Sequence, residues 1–93
     1  MTYSTPIERA ELIGGLRDLA DFLESNPEVP AHADTDMLTF PNGDWAEKTA
    51  EIDTIAARLG VTAYLAYGGH YVAARHFGPV VYRVVAIPSK ESE

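Results

Sequence analysis

The sequence of 93 residues contains no cysteine, which excludes disulfides, thiolate metal sites and cysteine nucleophiles. No apolar run approaches the roughly 20 residues of a membrane-spanning helix. The N-terminus lacks the basic start and apolar core of a signal peptide. These absences lead us to expect a cytoplasmic protein without membrane contact. The length predicts a single domain over residues 1–93, with frayed tails at residues 1–4 and 89–93.

Basic residues are scarce: 7 lysines and arginines stand against 14 aspartates and glutamates, a net charge of −7. Twelve of the acids fall in residues 1–60, whereas residues 61–90 contain none. An acidic body repels phosphates, which disfavours binding to duplex nucleic acid. A charged, soluble surface explains the pattern most simply. An alternative is that the acids of the first helix (Asp18, Asp21 and Glu24) mimic DNA and block a DNA-binding partner.

The first helix is predicted to start with a capping box, in which Thr5 is the N-cap, Pro6 follows and Glu8 is the third residue. Asn26 ends this helix because the residue before a proline disfavours helical geometry. Four leucines fall within about 60° of one another on one face; they are Leu12, Leu16, Leu19 and Leu23. Ile13 and Ala20 widen this stripe, and Glu11, Asp18 and Asp21 lie opposite.

Three residues of this helix do not follow from a simple amphipathic pattern. Gly14 and Gly15 interrupt the helix interior, where glycine is unfavourable. They indicate either close packing, or a contact at which a partner approaches the backbone. Phe22 falls at the edge of the stripe, as an exposed anchor or as a rim residue of the core.

The second helix has clear signals at both ends. Asp44 and Glu47 form a second capping box, and Gly60 is suited to a left-handed C-terminal position. A short strand is predicted over residues 37–40, before this helix. The remaining strands are predicted within residues 61–88, the one long β-rich stretch.

We predict that this stretch forms three antiparallel strands. The Gly68–Gly69 pair suits a two-residue type I′ turn, which would pair Tyr64 with Ala73. One face would then be the core face, with Val61, Ala63, Leu65, Val72 and Ala74. The other would be a mixed aromatic surface, with Thr62, Tyr64, Ala66, Tyr71, Ala73 and Arg75. In the last strand we expect Tyr82 and Val84 to point inward, because burial of Arg83 is unfavourable.

The predicted order is α-β-α-β-β-β. This order favours an α+β fold in which both helices pack on one face of a mainly antiparallel sheet of three to four strands. If the strand before the second helix were adjacent to the strand after it, the two would be parallel, with a right-handed crossover.

No catalytic, cofactor-binding or metal-binding motif is apparent, so we expect neither an enzyme nor a cofactor. His70 and His76 would lie about 20 Å apart along one strand, too far to act as a pair. The group of His32, Asp34 and Asp36 lacks a fourth ligand, which favours a solvated loop over a metal site.

The candidate binding surface is the outer face of the sheet, with Tyr64, Tyr71, Arg75 and Arg83. Aromatic and arginine side chains are typical of protein interfaces, and they also stack on the bases of single-stranded nucleic acid. Because the chain is acidic, we favour contact with a protein partner or with a second copy. The tyrosines could also simply suit strands.

Three segments carry a resemblance: GLRDLADFLESNPEVP, IDTIAARLG and HYVAARHFGPVVYRVVAIP. They resemble small proteins of actinobacteria and of their phages or plasmids for which no activity is established. The resemblance implies a stand-alone accessory protein and assigns no site residues. From the sequence we therefore expect a small protein-interaction or regulatory module that could form a homodimer. The alternatives are single-stranded nucleic acid binding and acidic DNA mimicry.

Overall fold

The computed structural model of the protein describes residues 3–88. Most of the predicted tails, residues 1–2 and 89–93, therefore lie outside the described residues. The described chain divides into two compact units, residues 3–32 and residues 33–88. The first unit contains one helix, and the second contains one helix and a sheet. The single domain stays a prediction.

The first unit is built on helix α1, Pro6–Ser25. Its start is the predicted capping box: the Glu8 amide donates to Thr5 Oγ1 at 3.2 Å, and the Thr5 amide donates to Glu8 Oε1 at 2.8 Å. At its end the Asn26 side-chain amide donates to the Phe22 carbonyl at 2.9 Å. Both predicted ends of α1 are confirmed. No residue of α1 is buried, and its predicted packing on the sheet stays a prediction.

The second unit contains helix α2 and four strands. Their bounds are β1 Thr35–Thr39, α2 Trp45–Leu59, β2 Tyr64–Leu65, β3 Tyr71–Phe77 and β4 Val80–Ala86. The strands form one sheet in the order β1-β4-β3-β2, in which β1 is parallel to β4 and the other two pairings are antiparallel. The predicted α+β class and mainly antiparallel sheet are confirmed. The parallel neighbour of β1 is the last strand, not the strand that follows α2.

Helix α2 has the ends that the sequence predicts. The Glu47 amide donates to Asp44 Oδ1 at 2.8 Å, and the Asp44 amide donates to Glu47 Oε1 at 3.0 Å. Gly60 adopts a left-handed conformation with φ of 73°, which glycine reaches without steric penalty. The Val61 amide then donates to the Ala56 carbonyl at 3.0 Å and the Gly60 amide to the Ala57 carbonyl at 3.3 Å, so two carbonyls of the last turn are satisfied.

The core forms where α2 packs on the two central strands. Five buried residues make up its centre: Ile52, Ala56, Ala73, Val84 and Ala86. Partly buried apolar residues pack around them, including Trp45, Val61, Tyr71 and Tyr82. Since paired residues on neighbouring strands share a face, the pairs Tyr71–Ala86, Ala73–Val84 and Arg75–Tyr82 all lie on the α2 side. Tyr82 and Val84 therefore point inward as predicted.

The prediction that Tyr71, Ala73 and Arg75 lie on the outer face is wrong. The turn between β2 and β3 has three residues instead of two. The Ala66 amide donates to the His70 carbonyl, and residues 67–69 form the turn between these two residues. Both glycines do have positive φ, 82° and 78°. The extra residue pairs Tyr64 with Val72 instead of Ala73. A slip of one residue moves a side chain to the opposite face, so Tyr64 is separated from Tyr71.

The core makes a direct prediction about stability. Ile52 is completely buried, whereas Ile55 on the same helix is only partly buried. We expect Ile52→Ala to lower the free energy of unfolding by about 2–5 kcal/mol, because it removes buried contacts and leaves a cavity. Urea unfolding followed by circular dichroism measures this loss. Ile55→Ala is the matched control, and an equal loss in both variants would contradict the described core.

Candidate functional site

Two of the four predicted site residues are used to hold α2. The Tyr71 hydroxyl donates to Asp53 Oδ1 of α2 at 2.5 Å. Arg75 Nη1 donates to the carbonyl of Leu59, the last residue of α2, at 3.3 Å. A cation near the C-terminus of a helix is favourable because it meets the negative end of the helix dipole. Tyr71 and Arg75 therefore act as anchors between the sheet and the helix.

Arg75 has a second contact on its own strand. Its guanidinium carbon lies 5.1 Å from the ring centroid of Phe77, within the range of a cation–π interaction. The side chain is thus held between the Leu59 carbonyl and an aromatic face. An arginine held in this way is a poor candidate for stacking on a nucleic acid base, because it would have to leave both contacts.

The other two predicted residues lie on the face opposite α2. Arg83 Nε donates to Asp36 Oδ2 at 2.9 Å, across the parallel strands β4 and β1. Tyr64 is 46% exposed and lies on β2. Two strand spacings separate β2 from β4, roughly 10 Å, so Tyr64 and Arg83 do not adjoin. The four residues do not form one aromatic and cationic surface, and their role in binding stays a prediction.

The Tyr71–Asp53 hydrogen bond affects the ionisation of the tyrosine. The bond to the Asp53 carboxylate, together with partial burial and the negative charge of Asp53, raises the pKa of Tyr71 above its ordinary value of 10.0. A phenolate at this position would lose the donated hydrogen bond and face a carboxylate. The neutral phenol is therefore the form that fits the folded protein.

Residues that could hold a metal ion are not brought together in the part of the chain that the structure describes. Within residues 3–88 no group of three or more histidine, aspartate and glutamate side chains has suitable geometry. Asp36, which the sequence groups with His32 and Asp34, forms an ion pair with Arg83 instead. Over the same residues, no helix is both long enough and apolar enough to cross a membrane.

The leucine face of α1 is an exposed apolar feature of the first unit. We call Leu12, Leu16, Leu19 and Leu23 the α1 stripe. Leu12 and Leu16 are each 46% exposed and Leu19 is 54% exposed. Phe22, at the edge of the stripe, is 51% exposed. The sequence revealed the stripe through its helical period, but its period alone does not say what covers it.

The acids of α1 lie away from the stripe. Glu11, Asp18 and Asp21 project from the opposite side of the helix, as the helical period of 3.6 residues requires. They are exposed. Between Leu12 and Leu23 the edges of the stripe are formed by apolar or small residues, whereas Glu8 continues the edge of Gly15 and Phe22 towards the N-terminus. The hypothesis that Asp18, Asp21 and Glu24 imitate DNA rests on charge alone and stays a prediction.

Comparison with known proteins gave no match to a protein-family model, to a curated protein or to a solved structure. The resemblance to actinobacterial and phage proteins therefore stays a prediction. What the protein does has to be inferred from the geometry described above.

The raised pKa of Tyr71 leads to a prediction about alkaline stability. Because the folded-state pKa lies above the ordinary value of 10.0, the stabilisation from this bond is fully present below pH 10.0 and is lost as the pH rises through the raised pKa. We expect the urea midpoint of Tyr71→Phe to fall less steeply above pH 10.0 than that of the wild type.

The control for this experiment is Tyr64→Phe, which removes a hydroxyl on the other face of the sheet. It should retain the alkaline profile of the wild type. If Tyr71→Phe also retained that profile, the hydrogen bond to Asp53 would not contribute to the pH dependence of stability.

Proposed function

We propose that this protein is a small protein-interaction module that forms a homodimer through the α1 stripe. The observation that carries the proposal is the exposure of Leu12, Leu16 and Leu19, each of which is 46–54% exposed. A contiguous apolar face on a soluble protein is typical of an interaction site. Dimerisation would cover the stripe on both copies at once.

The spacing of the stripe supports a helix as the occupant. Leu12, Leu16, Leu19 and Leu23 follow one another at intervals of four, three and four residues. This is the spacing of the a and d positions of a coiled coil, at which the side chains of two helices interlock. A second copy of α1 offers the same row of leucines and is therefore a complementary surface.

The charges of α1 also support a second copy. Glu11, Asp18 and Asp21 lie opposite the stripe, so two copies of the stripe can meet without bringing these carboxylates together. A strongly basic partner would instead be attracted to the acidic side. The four leucines carry no charge, and between Leu12 and Leu23 neither do the residues at the edges of the stripe, which favours an apolar helix as the occupant.

The expected strength of the dimer follows from its small size. Full burial of a leucine or phenylalanine is worth about 1.5–3 kcal/mol. Three leucines of the stripe and Phe22 at its edge are about half exposed, so eight such side chains in a dimer contribute roughly 8 kcal/mol. The three leucines are Leu12, Leu16 and Leu19. Association itself costs about 4–15 kcal/mol. These terms are of similar size, and we expect a weak dimer that dissociates on dilution.

Light scattering after size-exclusion chromatography tests the proposal across micromolar to millimolar concentrations. We expect the wild type to shift from the mass of one chain to that of two as the concentration rises. Leu16→Glu should remain a monomer at every concentration, because it places a charge in the middle of the stripe. Circular dichroism should show that its helix content is retained.

The matched control is Ala10→Glu, which adds the same charge on the opposite side of α1. It should dimerise like the wild type. A wild type that stays monomeric throughout would contradict the proposal, as would a dimer that Leu16→Glu leaves intact.

A further inference from the structure

The two glycines in the middle of α1 have no structural explanation within the first unit. A Cβ atom added at Gly14 or Gly15 would meet nothing within 4 Å. Neither residue has a positive φ, so neither needs the conformational freedom of glycine. Alanine would stabilise the helix at both positions. Within the first unit, the packing of α1 therefore does not account for glycine at these positions.

Gly15 borders the α1 stripe, whereas Gly14 faces away from it. In coiled-coil terms Leu16 and Leu23 take a positions and Leu12 and Leu19 take d positions. Gly15 and Phe22 then fall at g positions along one edge of the stripe, and Ile13 and Ala20 fall at e positions along the other. Between Leu12 and Leu23, each edge thus combines one large and one small residue.

We infer that the homodimer pairs its two α1 helices antiparallel, so that Phe22 of each copy packs over Gly15 of the other. This inference rests on the proposed function and specifies its geometry. An antiparallel alignment that matches the leucines places Leu12 beside Leu23 of the other copy, and Leu16 beside Leu19. Like edges adjoin in an antiparallel pair, so g positions meet g positions and e positions meet e positions.

The same alignment fits both edges of the stripe. In this alignment Phe22 lies opposite position 13 of the other copy. Gly15 of that copy is two residues away, which is about 3 Å along the helix axis. Ile13 likewise lies about 3 Å along the axis from Ala20 of the other copy. Each large side chain therefore meets a small one, which is the condition for close packing without voids.

A parallel pair lacks this fit. It would bring g positions against e positions, so Gly15 would face Ala20 and leave a gap. Ile13 would face the carboxylate of Glu8, and Phe22 would lie opposite residues beyond the end of α1 at Ser25.

Charge also favours the antiparallel pair. The last turn of α1 has no basic residue, although Glu24 lies there at the negative end of the helix dipole. In the antiparallel alignment, Arg9 of one copy and Glu24 of the other are separated by only about 3 Å along the helix axis. A parallel pair would instead place Arg9 beside its own counterpart.

Because the chain has no cysteine, single cysteines can report the orientation. Leu12→Cys and Leu23→Cys are prepared separately, mixed above the concentration at which the wild type dimerises, and oxidised. We expect a disulfide-linked dimer only in the mixture. In the antiparallel pair two copies of position 12 lie about 16 Å apart along the axis, beyond the roughly 4–7 Å between Cα atoms that a disulfide allows.

Asp21→Cys, on the outer side of α1, is the control and should give no linked dimer. If Leu12→Cys linked to itself and the mixture gave no mixed product, the antiparallel geometry would be wrong while the homodimer stood. A wild type that stays monomeric by light scattering would instead contradict the homodimer itself. The experiments therefore distinguish a wrong helix orientation from the absence of a dimer.

A second pair of variants tests the contact of Phe22 with Gly15 without altering a leucine. Gly14→Ala and Gly15→Ala raise helix propensity equally, and both should unfold at a higher urea concentration. Only Gly15→Ala should weaken dimerisation, by about tenfold or more, because its methyl group overpacks the contact in both copies. Equal dimerisation constants for the two variants would overturn the inference.

Discussion

The second unit depends on the close contact between one face of α2 and small residues at the centre of the sheet. Ile52, Ala73, Val84 and Ala86 have no exposed surface, and Ala56 is 4% exposed. Because Ala73 of β3 and Ala86 of β4 have small side chains, they leave room for Ile52 of α2. Helix α2 can therefore lie close to the strands. This contact decides which side chains of the sheet face α2.

Once α2 occupies that face, the polar side chains beside the core acquire a structural role. Tyr71 reaches Asp53 in the middle of α2, and Arg75 reaches the Leu59 carbonyl at its end. Tyrosine and arginine combine an apolar body with a polar tip, which suits them to the rim of a core as well as to a binding surface. Their composition alone cannot distinguish the two roles, and here the nearby acceptors on α2 do.

Local signals in the sequence predicted the parts of the fold that depend on a few neighbouring residues. The capping boxes at Thr5 and Asp44, the left-handed Gly60 and the inward Val84 are of this kind. The pairing of β2 with β3 was not predictable in the same way, because a turn of two or three residues fits the Gly68–Gly69 pair equally well. The one additional residue in the turn places Tyr64 on the face of the sheet opposite Tyr71 and Arg75, so the predicted surface does not form.

The α1 helix poses the opposite problem, since its local structure follows from the sequence but the sequence does not identify what covers it. Two interior glycines cost about 0.8–1 kcal/mol each relative to alanine, and half-exposed leucines are unfavourable in water. A sequence whose caps, period and helix length agree so well rarely keeps two such features side by side without a reason outside the helix. In the proposed dimer a second stripe would account for the leucines and for Gly15 together, because the leucines that need covering and the glycine that leaves room for a phenylalanine lie on adjoining faces. The exposed leucines and Gly15, which have no connection in the isolated helix, would then be two parts of one complementary surface.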